Sequence, residues 1–425
     1  MNNIKDCEMI PITELLSEII DNRGKTCPTE ESGFPLIATN CIKHSSIYPT
    51  FENIRFVSDD TLKNWFRAEL KPNDILFVNK GTPGRVCLVP NPVTFCAAQD
   101  MVGLRVNPEK IYYKYLFTVL RSDFIQEKIK NFHVGIAIPH FKKSDMHNLL
   151  IPVPKMDIQI KIGDTYCELS EKIENNNAMN NELESMAKTL YDYWFLQFEF
   201  PNEEGKPYKS SGGKMIWNEE LKREIPEGWS CGKIGDLFES QAGYAFKSAN
   251  WTENGHPVLT IKAIGEDGSI DMSAASYIKM YSSNLEKYSV NSGNMIFAMS
   301  GNTIGKLGII SSKLRNILIN QRVLILKTQS DNIAYSYFTI RDNKIQNSIL
   351  QLGANSAQPN ISEETLKSIK ICLPDKILLK KYNNYCKNYF EKIIENRIEN
   401  QELASLRDFL LPLLMNGQVG FKEEE

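Results

Sequence analysis

The sequence contains little that could form a catalytic or metal site. Residues 301–307, GNTIGKL, look like a phosphate-binding loop, but three residues separate the glycines where that loop has four, and Leu307 stands where Ser or Thr would bind magnesium. Three histidines recur every seven residues from His133 to His147, but Pro139 would interrupt a helix that aligned them. The common hydrolase, zinc-protease, Cys-x-x-Cys and dinucleotide motifs are absent. We therefore predict no catalytic residue and no metal site, so recognition of another molecule is the chemistry that remains.

The polar residues that could recognise another molecule belong to an internal repeat. Segments in the first half of the chain match segments in the second half at a nearly constant shift of about 220 residues, and Gln99 falls on Gln321. The matching segments are residues 12–15 with 234–237, 34–37 with 256–259, 73–77 with 293–297, 80–85 with 300–306, and 151–154 with 371–374. Such a constant shift indicates two copies of one structural unit.

Each copy changes from strands to a helix near its proline-rich end. Before Pro154 and Pro374, short apolar runs separated by Gly, Pro and Asn predict strands and turns. After these prolines, apolar residues spaced alternately by four and three predict long helices that pack as a coiled coil. The predicted organisation is two modules at 1–152 and 226–373, helices at 153–199 and 374–425 with the C-terminal tail, and an exposed linker at 200–225.

Two asparagines interrupt the apolar seam of each helix. Asn176 and Asn180 in the first helix coincide with Asn396 and Asn400 in the second. A buried Asn weakens a coiled coil but fixes its register, because only one alignment lets the amides bond to each other. We predict that the two helices pair antiparallel with these layers near their crossing. The alternative is that all four amides lie on a solvated face.

Composition and charge narrow the classes of protein. The chain has 425 residues, 42% of them hydrophobic, and a formal net charge of -3, which exclude a disordered or uniformly basic protein. Nine cysteines, none spaced as Cys-x-x-Cys, indicate reduced thiols in a cytoplasmic protein, and no apolar run is long enough to cross a membrane. Residues 1–152 carry a net charge of +1 and residues 226–373 of +2, whereas the helices at 153–199 and 374–425 carry -5 and -1. The modules are therefore better suited than the acidic helices to contact phosphate.

An ordered set of short segments resembles the specificity subunit of type I restriction-modification systems. The segments are residues 21–26 (DNRGKT), 74–77 (DILF), 151–154 (IPVP, followed by Gln159), 222–229 (KREIPEGW), 243–248 (GYAFKS), 294–297 (NMIF) and 410–417 (LLPLLMNG). The resemblance covers nearly the whole chain. It has two departures, since the first module lacks an IPEGW segment before it and Lys380 stands where the first helix has Gln159.

The resemblance implies an α+β fold in which two mixed α/β target recognition domains form a pseudo-twofold repeat, joined by two long antiparallel coiled-coil helices. It implies a subunit that binds double-stranded DNA at a bipartite asymmetric site, one half-site per module, and that is not itself an enzyme. The implied partners are two methyltransferase subunits, which carry S-adenosylmethionine, and restriction and translocase subunits. This chain itself would bind no cofactor and no membrane. A helix over residues 158–196 would measure about 58 Å, enough to hold two modules one DNA turn, roughly 34 to 36 Å, apart.

Under this resemblance, polar and basic side chains in glycine-rich loops are the candidates to contact DNA. Arg and Lys can bond to guanine edges and Asn and Gln to adenine, while other side chains hold phosphates. The alternative for each candidate is an ordinary loop residue. In the first module the candidates are Asn22, Arg23, Lys25, Lys43, His44, Asn79, Lys80, Thr82 and Arg85. In the second module they are Gln241, Tyr244, Lys247, Ser248, Lys262, Ser300, Asn302, Lys306, Asn355 and Gln358.

The end of the first helix is rich in aromatic residues. Tyr191, Trp194, Phe195 and Phe198 are candidates for an interface with a partner subunit, because aromatic side chains are enriched in interfaces. The alternative is that they pack against the modules of this chain.

Two other functions remain open. The chain could be a duplicated adaptor that binds proteins and never reads DNA sequence, or an enzyme whose site no motif reveals. Binding to duplex DNA that weakens steeply with salt would distinguish the first of these from a DNA-reading subunit.

Overall fold

The computed structural model describes residues 7–21, 25–132, 139–328, 333–354, 359–416 and 418–420. The chain forms two compact units: residues 1–175 with 401–425 make the first, and residues 176–400 make the second. Each unit therefore contains one of the two modules and a segment of each long helix.

The first unit consists of short strands followed by helices, as the apolar runs predict. The strands are β1 (Glu8–Pro11), β2 (Leu16–Ile20), β3 (Phe34–Ile37), β4 (Arg55–Val57), β5 (Ile75–Val78), β6 (Val86–Leu88), β7 (Cys96–Ala97), β8 (Met101–Val106) and β9 (Leu150–Val153). The helices are α1 (Asp59–Asn64), α2 (Tyr113–Arg121), α3 (Asp123–Asn131) and α4 (Met156–Tyr191), which continues into the second unit. Every residue of β5 is buried, because Ile75 and Phe77 face one apolar cluster and Leu76 and Val78 face another.

The second unit repeats this order. Its strands are β10 (Met215–Asn218), β11 (Arg223–Pro226), β12 (Ser230–Lys233), β13 (Glu239–Ala242), β14 (Trp251–Thr252), β15 (His256–Leu259), β16 (Ser276–Ile278), β17 (Ser289–Val290), β18 (Met295–Ala298), β19 (Leu307–Ile309), β20 (Ile317–Ile319), β21 (Val323–Lys327) and β22 (Lys370–Leu373). Its helices are α5 (Ile333–Arg341), α6 (Asn343–Gly353), α7 (Glu363–Ser368) and α8 (Lys376–Met415), which continues into the first unit.

The sheets of the two modules have matching strand orders. One antiparallel sheet runs β2-β8-β5-β6 in the first module and β13-β21-β18-β19 in the second. Its register also repeats, since Phe77 pairs with Val102 and Phe297 pairs with Leu324. A second sheet in each module contains one parallel pair, β3 with β7 and β15 with β20. These features confirm the predicted α+β fold built from two copies of one module.

The two long helices pack antiparallel. The helix α4 has 36 residues and continues into a π-helical turn at Asp192–Leu196, and α8 has 40 residues. In the first unit Arg407 bonds to Ser170, and in the second unit Asn396 bonds to Asn180, so residue numbers fall along one helix as they rise along the other. The predicted antiparallel pair is confirmed. Within the described ranges no helix is long and apolar enough to cross a membrane.

The start of α4 lies very close to its own module. A Cβ at Gly163 would lie 2.6 Å from the backbone nitrogen of Tyr115 in α2, a separation that only glycine tolerates. Close by, Ile162 and Tyr166 share an apolar cluster with Leu414 of α8. The first-unit ends of both helices are therefore part of the core of that unit and not an appended spacer.

The segment predicted as an exposed linker, residues 200–225, is folded. It contains β10 and most of β11, which form an antiparallel hairpin in which Ile216 pairs with Ile225. Ile225 is fully buried, and Phe200 stacks on Trp229 with ring centroids 5.2 Å apart. Many of its residues are exposed, including 203–206 and 209–212, as predicted. The segment is nevertheless folded, because its few apolar residues make contacts distant in sequence, which apolar periodicity does not reveal.

Candidate nucleic-acid interface

Three segments of the first module meet where β5 ends and β8 begins, and we call this arrangement the junction. Its segments are residues 79–85, 99–100 and 139–141. The N–H of Asn79 donates to the carbonyl of Asp100 over 2.9 Å, and the N–H of Gly81 donates to the carbonyl of Pro139 over 3.0 Å. The N–H of Phe141 donates to the carbonyl of Asn79 over 2.8 Å. These backbone bonds hold three loops together at the end of a buried strand.

The second module has the same junction. Its segments are residues 299–306, 321–322 and 359–361. The N–H of Met299 donates to the carbonyl of Arg322 over 3.0 Å, and the N–H of Gly301 donates to the carbonyl of Pro359 over 2.9 Å. The N–H of Ile361 donates to the carbonyl of Met299 over 2.9 Å. The repeat therefore reproduces the backbone of the junction bond for bond.

A glycine turn in each junction is held by a glutamine from a neighbouring helix. Gly84 and Gly305 both have φ of 89°, a conformation that side chains disfavour. The Nε2 atom of Gln126 in α3 donates to the carbonyl of Gly84 over 2.9 Å, and Gln346 in α6 donates to that of Gly305 over 3.1 Å. The glycines therefore set the backbone conformation of the loop, while the side chains of the other loop residues are the groups that can form hydrogen bonds.

Several polar atoms of the junctions are buried without a hydrogen-bond partner among the described residues. They are Oδ1 of Asn79, Oγ1 of Thr82, Oε1 of Gln99 and, in the second module, Oγ of Ser300. Buried polar atoms in folded proteins nearly always have a partner. The junctions therefore contain polar atoms that a ligand or an ordered water would satisfy.

The structure brings four of the first-module candidates into the junction. Lys80 and Arg85 are exposed, and Thr82 is half-buried. Asn79, in contrast, is 4% exposed, and its Nδ2 donates to the carbonyl of Phe141 over 3.2 Å. Burial and this bond fit a side chain that fixes the junction, and contact of Asn79 with DNA stays a prediction.

The other first-module candidates lie away from the junction's backbone bonds. Lys25 is exposed between β2 and β3, and His44 is exposed between β3 and β4. Lys43 precedes His44, and its Nζ lies 2.8 Å from Oε2 of Glu52. Two candidates lie outside the described residues: Asn22 and Arg23.

In the second module the junction gathers Tyr244, Ser300, Asn302 and Lys306. Tyr244 is included because the N–H of Gln321 donates to its carbonyl over 3.0 Å. Asn302 is exposed and Ser300 is half-buried. The ammonium group of Lys306 lies 2.7 Å from Oε1 of Glu266, so an ion pair already occupies it.

The remaining second-module candidates are scattered. Gln241 lies in β13, where its Nε2 donates to the carbonyl of Ala242 over 3.0 Å. Lys247 and Lys262 are exposed, and Ser248 lies in a helical turn that follows Lys247. Two candidates lie outside the described residues: Asn355 and Gln358.

Arg322 is a junction residue that the sequence candidates omit. With Gln321 and Ser300 it lines a cleft of about 760 Å³ beside the second junction. Arg322 and Gln321 are both exposed. The repeat carries the signal for this position, since it matches Gln99 with Gln321 and therefore Asp100 with Arg322. Arg322 lies outside the glycine-rich loops, which is why the sequence candidates do not contain it.

Cationic neighbours surround His44. Although the residue is exposed, neighbouring parts of the chain restrict the solvation of its imidazole, and this lowers its pKa below the ordinary 6.5. The guanidinium groups of Arg121, Arg407 and Arg85 lower the pKa further, against the opposing charge of Asp408. The positive charge of these arginines therefore opposes protonation of His44.

The free energy of unfolding should fall as the pH drops below about 6.5, in part because of His44. Its folded-state pKa is depressed, so the folded chain binds this proton less tightly than the unfolded chain and acid favours unfolding in that window. His44→Gln cannot titrate, so it should lose less stability than the native chain between about pH 7.5 and 5.5 in urea titrations. Equal losses in the two proteins would show that His44 is not a source of the effect.

The asparagine layers lie between the two long helices. Nδ2 of Asn176 donates to Oδ1 of Asn400 over 2.9 Å and to Oε2 of Glu399 over 2.7 Å. Nδ2 of Asn396 donates to Oδ1 of Asn180 over 2.9 Å. Asn176 and Asn396 are 2% and 1% exposed, so the amides face each other and not solvent. A role in fixing the register of the helices remains a prediction.

The aromatic residues at the end of the first helix lie in the core of the second unit. Tyr191, Trp194, Phe195 and Phe198 are 3% to 6% exposed. The ring of Phe195 lies 4.8 Å from that of Tyr335 in α5, centroid to centroid. Their assignment to a partner interface is corrected here, because side chains buried within this chain cannot also contact a partner.

Comparisons with known proteins agree with the repeated architecture. The family model of the type I restriction modification DNA specificity domain matches residues 5–185 and 226–403. The type I restriction enzyme MjaIX specificity subunit of Methanocaldococcus jannaschii is 24% identical over 375 residues, which cover 87% of this chain and 83% of that protein. The HindI specificity subunit of Haemophilus influenzae is 23% identical over 412 residues, 83% of this chain and 88% of that protein.

A solved structure has the same fold. The crystal structure of a type-I restriction-modification system S subunit from M. genitalium matches with a TM-score of 0.58 at 16% sequence identity. The match covers 97% of this chain and 99% of that one.

Proposed function

Since this chain belongs to the type I restriction-modification DNA specificity family, as the match across both repeats shows, we propose that each module reads one half of a bipartite, asymmetric site in double-stranded DNA. The observation that carries the proposal is the repeated junction. Its backbone is the same in both modules, but Lys80 and Thr82 of the first stand where Ser300 and Asn302 stand in the second. Recognition of two different half-sites by two copies of one module requires different polar side chains on the same backbone.

The distribution of charge supports DNA binding by the modules and not by the long helices. The modules carry net charges of +1 and +2 over residues 1–152 and 226–373, whereas the long helices over residues 153–199 and 374–425 carry -5 and -1. Phosphate would be attracted to the modules and repelled by the helices. Because the positive charge is small, this chain alone binds DNA weakly, and its partners supply much of the phosphate neutralisation.

The chemistry belongs to the partners in this proposal. Two methyltransferase subunits carry S-adenosylmethionine and methylate adenine, and restriction and translocase subunits cut the DNA. This chain selects the DNA site and catalyses no reaction. The complex acts in the cytoplasm. The candidate loops fit that division, since they offer hydrogen-bonding groups suited to base edges and phosphates.

We propose that the length of the two long helices sets the number of unread bases between the half-sites. A helix of 36 residues measures about 54 Å, longer than one DNA turn. Changing the length of both helices together should alter the number of unread bases between the half-sites and leave the half-sites themselves unchanged.

The proposal is tested by expressing this chain with its methyltransferase subunits in cells that lack adenine methylation, and then mapping methylated adenines. The expected result is one motif of two short half-sites separated by a fixed number of unread bases. If this chain were an adaptor that never reads DNA, the methylated motif would be the same with and without it. Methyl transfer by the purified chain alone would contradict the assignment of catalysis to the partners.

A further inference from the structure

The strands β8 and β21 occupy the same place in the two modules. The residue that precedes the strand is acidic in the first module and basic in the second. Asp100 precedes β8 and Arg322 precedes β21. The carbonyl of Asp100 accepts from Asn79 over 2.9 Å, and that of Arg322 accepts from Met299 over 3.0 Å. The two side chains therefore start from the same place in the module and carry opposite charges.

Arg322 is available to bind a ligand. Its side chain is exposed, and among the described residues none bonds to its guanidinium group. The bonds of Arg322 are made by its backbone, whose N–H donates to Oδ1 of Asn320 and whose carbonyl accepts from Met299. Of the two glutamates that line the same cleft, Glu363 already accepts a hydrogen bond from Ser240 over 2.6 Å, and Glu364 forms no ion pair with Arg322. The guanidinium group therefore has no ion-pair partner among the described residues, although the carboxylates of Glu363 and Glu364 line the same cleft.

Asp100 occupies the matching position with a half-buried side chain. Within the described part of the chain its carboxylate has no hydrogen-bond or ion-pair partner, while its backbone carbonyl also accepts from the N–H of Lys80 over 3.3 Å. An unpaired carboxylate repels phosphate, so this position is suited to a base edge and not to the DNA backbone. The exposed Lys80 beside it offsets part of that repulsion.

The preceding residue is the same in both modules, Gln99 and Gln321, so it cannot by itself distinguish two half-sites. The next position can, because Arg forms two hydrogen bonds with O6 and N7 of guanine, whereas Asp accepts one from the N4 amino group of cytosine. We propose that Arg322 and Asp100 are specificity-determining residues, with Arg322 reading a guanine in one half-site and Asp100 a cytosine in the other. Each residue therefore selects a G·C base pair, but Arg322 reads the guanine of its pair and Asp100 reads the cytosine of its pair. This inference rests on the proposed function, DNA recognition by both modules.

The test uses the full chain in complex with its methyltransferase subunits and a DNA library in which both half-sites are randomised. Arg322→Gln and Arg322→Ala should lose an about 5- to 150-fold preference for guanine at one position of one half-site. The glutamine variant should gain adenine at that position. Asp100→Asn should change one position of the other half-site only. Arg315→Gln removes an exposed arginine elsewhere in the same module, and it should leave both half-sites unchanged.

The outcomes separate this inference from the proposed function. If Arg322→Gln and Arg322→Ala slow methylation of every sequence equally and the motif persists, Arg322 contacts phosphate and the inference is overturned. The same conclusion follows if both variants retain the guanine. If the native complex yields no bipartite motif, the proposed function fails and this inference fails with it. A thermal melt equal to that of the native chain shows that the variants are folded.

Discussion

Replacing Arg105 by Met is expected to destabilise the first module by about 3–5 kcal/mol. Asp74 is 2% exposed, and Arg105 holds it with two hydrogen bonds, from Nε to Oδ1 over 3.0 Å and from Nη2 to Oδ2 over 2.9 Å. The hydrogen bond to Asp74 raises the pKa of Arg105, so the guanidinium group stays charged at every working pH. Methionine would leave a buried carboxylate without its partner, which is the costly way to break a buried ion pair.

The second module shows how that cost can be reduced. Asn294 stands at the position of Asp74 and accepts the equivalent backbone bond: the N–H of Asn291 donates to its Oδ1 over 3.0 Å, as the N–H of Lys71 donates to Oδ2 of Asp74 over 2.7 Å. Combining Arg105→Met with Asp74→Asn removes the buried charge and keeps this bond. The double variant should therefore recover much of the stability that the single variant loses.

Urea unfolding followed by circular dichroism measures both effects. Arg67→Met is the matched control, because Arg67 is exposed and such a change at the surface usually costs within about 0.5 kcal/mol. An Arg105→Met protein as stable as this control would show that the pair contributes nothing. A double variant no more stable than the single one would show that the unpaired charge is not the source of the cost.

Much of this architecture follows from the sequence because the repeat is visible in it. The shift that matches residues 73–77 with 293–297 also matches β5 with β18 and one junction with the other. The spacing of four and three along the helices placed Asn180 and Asn396 in one seam, and the structure joins them by a hydrogen bond. Local spacing suffices in these cases because the partners recur at a fixed period.

The features that escaped prediction depend on contacts between distant residues. Phe200 and Trp229 lie in a segment without apolar period, yet they stack on each other and fold the supposed linker. Asn79 has the residue type and loop position of a DNA contact, but the end of a buried strand encloses it. The type of a loop residue indicates which bonds it can form, whereas its exposure is set by the chain that packs around it.

Replacing Phe195 by Ala is expected to destabilise the second unit by about 3–5 kcal/mol. Phe195 is 3% exposed, and its ring lies 4.8 Å from that of Tyr335, 5.0 Å from that of Tyr382 and 6.0 Å from that of Trp229. These rings come from α5, α8 and the chain after β11, so Phe195 joins the π-helical turn to three other parts of the unit. Alanine would remove the central ring and leave a cavity that three surrounding aromatic side chains cannot fill.

Tyr193→Ala is the matched control, because Tyr193 lies on the same turn and is 39% exposed. Thermal or urea unfolding should show a large loss for Phe195→Ala and a small one for Tyr193→Ala. A partner interface makes the opposite prediction: Phe195→Ala would leave the isolated chain stable and would abolish assembly with the methyltransferase subunits. Measuring unfolding of the chain alone and its assembly with those subunits for both variants therefore decides between a core and an interface at this helix end. If Phe195→Ala unfolds at the same urea concentration as the native chain, the core assignment is wrong.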